Sequence, residues 1–221
     1  MEKYAAGFLR VAGCDEVGVA PLAGPVVAAT VILDPDSIGR QRSKNKWWYR
    51  VRDSKTVNEK EREQLLPFIE DNALDFAVGL VSHETIDEIN IHQASMLAME
   101  RSVEGLKKMK PDFIFLDGIW MLKGFKEVPQ EPVIGGDSKI LSIAAASIVA
   151  KVARDRFMKQ LHEQFPLYGF DKHKGYPTLF HKRALVELGA TPFHRKTFLF
   201  VKQIIEARGQ RELRLQENNS R

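Results

Sequence analysis

The chain has 221 residues, enough to bury the core of one domain without disulfides or metal staples. Its 44% hydrophobic and 28% charged residues are ordinary for a globular protein, and no apolar run approaches the roughly 18 residues of a membrane helix. A net charge of +4 is too mild to identify a polyanionic partner by itself, and a single cysteine, Cys14, excludes an internal disulfide. With no signal-peptide layout at the N-terminus, these features predict a cytoplasmic protein in which Cys14 is a buried hydrophobe and not a nucleophile.

Residues 7–15 (GFLRVAGCD) and 25–33 (PVVAATVIL) are short, apolar or alternating, and bounded by Gly and Pro, which predicts two strands. Their connection through Gly18, Pro21 and Gly24 is too short for a crossover helix, so the strands should be antiparallel neighbours. The segment 39–55 then carries Arg40, Arg42, Lys44, Lys46, Arg50, Arg52 and Lys55 interleaved with Trp47, Trp48 and Tyr49. Such a mixture suits phosphate neutralisation with stacking, and equally a solvated loop whose aromatics fold back onto the core. Asn58 is placed to cap a helix over 59–71 that Pro67 could kink. Residues 74–82 alternate as a third strand, and Ser82 is placed to cap a helix whose apolar face is Ile91, Ala94, Met96, Leu97, Met99 and Val103.

After Pro111, residues 112–118 (DFIFLDG) read as a buried strand, and 132–137 (PVIGGD) as another short strand ending in an acid. Residues 138–165 give the strongest helical signal, being Ala-rich and largely free of breakers. The loop YGFDKHKGYPT at 168–178 precedes amphipathic helices near 178–189 and 193–208. The remainder, 209–221, has too little apolar content to pack and is expected to be a flexible tail on a single domain.

Three predicted strand ends therefore carry acids: Asp15 with Glu16, Asp117, and Asp137. Taken singly, an acid after a strand is commonly a turn residue or cap, and Asp137 is well placed to cap the long helix. Strands of one sheet can bring their ends together, however, and four converging carboxylates repel unless cations lie between them. The chain has no Cys or His cluster suited to zinc, whereas hard divalent ions such as Mg²⁺ take carboxylates, waters and phosphate oxygens. That pattern suits two-metal phosphoryl transfer.

GCDEVGVAPLAGPVV at 13–27, DSK at 53–55, FLDG at 115–118, GGDSKILSIAAASIVAKVARDR at 135–156 and YGFDKHKGYPT at 168–178 together resemble ribonuclease HII, the bacterial type 2 ribonuclease H. The resemblance implies an α/β ribonuclease H-like fold: a five-stranded mixed sheet flanked by helices, with a helical C-terminal lobe. It implies that Asp15, Glu16, Asp117 and Asp137 bind two Mg²⁺ or Mn²⁺ ions. It also implies that Tyr176 packs on the deoxyribose following a ribonucleotide, and that Lys55, Lys139, Ser147 and Lys151 are phosphate contacts. His173 should lie near the groove without a catalytic role. The implied activity is cleavage 5′ of ribonucleotides, in RNA–DNA hybrids and in duplex DNA with embedded ribonucleotides, by a monomer. A hybrid-binding protein of the same fold with weak or altered nuclease activity is the alternative, and complete retention of the four acids disfavours it. No clamp-binding pattern is visible near the C-terminus.

One block departs from the family. Where it ordinarily has Gly-Arg-Gly, reading the ribose 2′-hydroxyl and adjoining phosphates largely through backbone groups, this chain has Gly18, Val19 and Ala20. Val19 cannot replace the arginine's charge, and Ala20 is expected to be strained if its position needs positive φ.

Overall fold

The structure, a computed structural model, describes residues 2–37 and 47–219. In chain order the elements are α1 (Glu2–Ala5), β1 (Val11–Val17), β2 (Val26–Leu33), α2 (Glu59–Asn72), β3 (Ala73–Val81), α3 (His83–Glu104), β4 (Phe113–Asp117), β5 (Gln130–Val133), α4 (Leu141–Gln164), α5 (Phe170–His173), α6 (Leu179–Leu188) and α7 (Leu199–Asn219). The strands form one sheet in the order β3-β2-β1-β4-β5. β1 and β2 are antiparallel, as their short connection requires, and so are β2 and β3. β1–β4 and β4–β5 are parallel, which makes the sheet mixed.

Side-chain alternation divides the core into two layers. Val27, Ala29, Val31 and Leu33 of β2 pack with α2 and α4, whereas Val26, Ala28 and Ile32 pack with α3. The two helices nearest the sheet approach it at glycines. A Cβ on Gly13 would lie 2.2 Å from the Ser142 carbonyl carbon of α4, and one on Gly79 would lie 2.1 Å from the Ala98 oxygen of α3. A smaller cluster of Ala23, Met158, Leu161, Tyr168, Phe170 and Ala184 joins the C-terminal lobe to the end of α4.

Asn58 and Ser82 cap α2 and α3, their side chains accepting from the Glu61 and Thr85 amides. Pro67 lies inside α2 without interrupting it, and the kink falls in α3 instead. There Asn90 has φ 68° and ψ 164°, and its side chain accepts from the Gln93 amide, capping the longer segment. β1 begins at Val11, four residues after the expected start, because residues 7–10 are tied down differently: Asp112 accepts from the Leu9 and Arg10 amides. α7 starts later than expected and runs on as helix to Asn219, through residues whose composition predicts a flexible tail.

Of the basic aromatic segment, residues 38–46 lie outside the described residues, including Arg40, Arg42, Lys44 and Lys46. Its aromatics divide: Trp47 is buried in the α2/α4 layer with Trp48 packed against it, while Tyr49 is exposed and Arg50 pairs with Glu61 at 3.2 Å. Trp47 is therefore a core residue and not a stacking platform, and Trp48 is half-buried against it.

Candidate metal centre and its surroundings

Parallel pairing of β1 and β4, with Cys14 opposite Leu116, brings Asp15 and Asp117 side by side where the strands end. β5 runs parallel beyond β4, and the chain then turns through a 3₁₀ turn, Gly136–Ser138, that carries Asp137 back over the same end. Carboxylate oxygens of Asp15, Asp117 and Asp137 all lie within 4.8 Å of one another. Asp137 is thus not at a strand end, nor does it cap α4, whose N-cap is Ile140 without a side-chain bond. The turn is held by the acid it faces: the Gly136 amide donates to Asp117 Oδ1 at 2.7 Å.

Asp15 shares the face of β1 that Gly13 presents to α4, so adjacent Glu16 starts out toward the other face and is not in the closest trio. It still feels the cluster. Burial, then repulsion from Asp117, pushes Glu16 up to about 7, with Lys55 opposing. Burial and Glu16, followed by Asp117 and Asp137, hold Asp15 well above the usual carboxylate range, and the Ser147 hydroxyl partly offsets this. Asp137 is raised by burial, then Asp53 and Asp117. Carboxyls that ionise only with difficulty beside one another are relieved by a cation among them. An all-oxygen donor set of this spacing, half enclosed, fits hard divalent ions better than zinc.

The residues expected around the acids are distributed unevenly. Lys55 Nζ lies 3.8 Å from Asp137 Oδ2; partial burial disfavours its charge, but Asp53, Asp137 and Asp15 outweigh this and raise its pKa. Ser147 is not on a surface. It is buried, donates to Ser54 Oγ at 2.9 Å and lies close enough to Asp15 to lower its pKa. Lys151 is mostly buried and donates to Asp155 at 2.5 Å, and its Nζ lies 6.0 Å from the centre of the Tyr176 ring. Exposed Lys139 turns back to the Ile134 carbonyl. Tyr176 is half-buried, with the Arg154 guanidinium carbon 5.9 Å from its ring centre. His173 packs on His181, its Nε2 2.6 Å from the Tyr168 carbonyl.

In the Gly18-Val19-Ala20 stretch, Gly18 has φ +95°, while Ala20 is absent from the positive-φ residues. The expected strain at Ala20 therefore does not exist. Val19 is 41% exposed and Ala20 is exposed too. Sequence reasoning missed what lies beneath. Arg154 and Arg195, both fully buried, spend their guanidinium donors on carbonyls of residues 18–25 and of Lys174. It also missed Asp53, whose signal was available in the DSK block and whose charge acts on both Lys55 and Asp137.

A family model described as ribonuclease HII matches residues 12–201. A ribonuclease HII of Endomicrobium trichonymphae is 50% identical over 202 residues, 91% of each chain. One of Bacteroides thetaiotaomicron is 50% identical over 187 residues, 85% of this chain and 88% of that one. Among solved structures, ribonuclease H2 from Pyrococcus horikoshii OT3 superposes with a TM-score of 0.73 at 27% identity, covering 90% of this chain and 98% of the other. A sheet that gathers three carboxylates, matched over nearly its whole length by these relatives, means that the chain belongs to the ribonuclease HII family and is a metal-dependent endoribonuclease.

Proposed function

We propose that the protein hydrolyses the phosphodiester on the 5′ side of ribonucleotides, both in RNA–DNA hybrids and in duplex DNA with embedded ribonucleotides. Water adds to phosphorus, the bond to the 3′ oxygen breaks, and that oxygen takes up a proton, leaving 3′-hydroxyl and 5′-phosphate ends. The observation that carries this reading is the convergence of Asp15, Asp117 and Asp137 within 4.8 Å, with Glu16 adjoining. These four would hold two Mg²⁺ or Mn²⁺ ions, which when bound supply Lewis-acid stabilisation of phosphoryl charge and make water more acidic. Buried Ser147, hydrogen-bonded to Ser54, favours the ionised form of Asp15 that a cation would need. Lys55 keeps its positive charge beside Asp137, where a phosphate could pair with it. Tyr176, half-buried with Arg154 5.9 Å and Lys151 6.0 Å from its ring centre, would pack on the neighbouring deoxyribose. We take the working unit to be a single domain acting as a monomer.

The test is a product map on two end-labelled substrates, a continuous hybrid and a DNA duplex with one ribonucleotide, with Mg²⁺ or Mn²⁺ and with EDTA. Cleavage 5′ of the ribonucleotide that EDTA abolishes is expected. Metal-independent cleavage, or cuts unrelated to ribonucleotides, would defeat the reading.

A further inference from the structure

Arg195 is separated from Gly18 by most of the chain, yet its side chain is devoted to that loop. Nη2 donates to the Gly18 carbonyl at 2.6 Å, Nη1 to the Val19 carbonyl at 2.8 Å, and Nε to the Gly24 carbonyl at 3.0 Å. Its backbone is stitched alongside as well: the Arg195 amide donates to Leu22, the Gly24 amide donates to Phe193, and Ala23 bridges to His194. Fully buried, the guanidinium makes no ion pair with a carboxylate among the described residues; after burial the strongest influence on its charge is Arg154, a second buried cation, which Asp87 offsets only in part. Burying a cation on carbonyl dipoles alone is costly, so the arrangement calls for a reason beyond packing.

Peptide geometry supplies one. In a planar trans peptide, the carbonyl of one residue and the amide of the next point in opposite directions. Turning the Gly18 and Val19 carbonyls inward onto Arg195 therefore turns the Val19 and Ala20 amides away from it, on a stretch whose two residues are exposed. The result is a pair of successive outward N–H groups backed by two buried positive charges, next in the chain to Asp15 and Glu16. Backbone donors so arranged suit an anionic or hydroxyl oxygen, and they do not depend on the side chain at position 19.

We propose that Arg195 is a positioning residue for ribonucleotide recognition: it fixes the Val19 and Ala20 amides in their outward orientation, so that the backbone reads the substrate although residue 19 is an uncharged valine. This deepens the proposed function and rests on it for the identity of the substrate.

The experiment compares wild type, Arg195→Lys, Arg195→Gln and a control, Ile69→Ala, which opens a core cavity in α2 within a different cluster. Two readouts are taken. The first is the amide NMR signals of Val19 and Ala20 in metal-free protein. The second is the ratio of cleavage rates on a single-ribonucleotide duplex and a continuous hybrid. Either Arg195 variant is expected to displace the two amide signals while leaving those of β1 in place, and to lower the ratio roughly tenfold, the worth of a charged hydrogen bond. The control should move neither. Unchanged signals and ratio, or equal changes in Ile69→Ala, would overturn the role. Should neither Arg195 variant fold, wild type decides: adding the single-ribonucleotide duplex in EDTA should shift Val19, Ala20 and the Arg195 Nε–H together, and an unmoved Arg195 signal overturns the proposal. Failure of wild type to cleave either substrate would instead defeat the proposed function, with the amide signals still judging Arg195.

Discussion

At the scale of single residues, the acids oppose folding until something positive joins them. Replacing Asp15 or Asp117 by Asn keeps the shape and removes a charge. Cleavage should fall by roughly a thousandfold or more, while duplex binding survives on contacts outside the acid cluster. The metal-free Asp15→Asn protein should melt higher than metal-free wild type, because burial and Glu16 already penalise the Asp15 carboxylate, and Mg²⁺ should no longer raise its melting point. Normal cleavage at saturating Mg²⁺ by either variant would remove these residues from the site. Val19 supports a prediction of the opposite sign. It is exposed on a loop whose backbone is already held by Arg195, so Val19→Arg adds a charge without rebuilding anything. It should raise the single-ribonucleotide rate about tenfold relative to the hybrid rate. Since Ala20 has no positive φ to relieve, adding Ala20→Gly should contribute nothing further. A ratio unaltered by Val19→Arg would mean that the side chain at this position does not meet the substrate.

Among elements, the decisive contact is α4 against β1, where Gly13 admits the helix backbone next to Asp15. Gly13→Ala places a methyl group 2.2 Å from the Ser142 carbonyl carbon, a backbone atom that cannot swing aside. Overpacking of this kind costs about 1–3 kcal/mol, and here it also pushes α4, with Ser147, away from the acids. Both the unfolding midpoint in urea and the hybrid-cleavage rate should fall. A stable variant with a normal rate would show that α4 can slide without disturbing the site. The sequence announced most of these elements because their local chemistry agrees with their environment. Asn58 and Ser82 cap where expected, and β1 and β2 pair as their short link requires. It failed where distant contacts decide. Asp137 reads as a strand end or a cap, but the Gly136 amide bound to Asp117 folds that stretch into a turn. Ser147 is expected as a phosphate contact, but it is buried and its hydroxyl is donated to Ser54. Arg195 sits in a segment with no motif at all, and its role depends on a loop met more than 170 residues earlier.

Taken whole, the molecule is a catalytic sheet joined to a helical lobe, and the joint contains a chain of neutral histidines. The Tyr176 carbonyl can only accept, so His181 Nδ1 must donate to it across 3.0 Å, leaving His181 Nε2 bare. That nitrogen accepts from His194 Nε2 at 3.0 Å, and His194 Nδ1 in turn accepts from the Thr191 amide and hydroxyl. A proton added to either ring sets two donors face to face. Burial, with His173 close to His181 and His181 close to His194, accordingly lowers them to about 4 and about 3. Folded values below the unfolded 6.5 mean that this stability is complete above pH 6.5, where both states are neutral. It is lost progressively as pH falls from 6.5 toward 4 and 3, because only the unfolded chain gains protons in that window. At pH 5 the loss should be about 2 kcal/mol per histidine. His181→Gln or His194→Gln should therefore be less stable than wild type at pH 7, yet show a shallower fall in urea midpoint between pH 7 and pH 5. Since the same histidine holds the Tyr176 carbonyl, and Arg154 ties Lys174 to Ala23 and Pro25, acid should loosen substrate reading together with the lobe. A slope as steep in both variants as in wild type would place the acid sensitivity elsewhere.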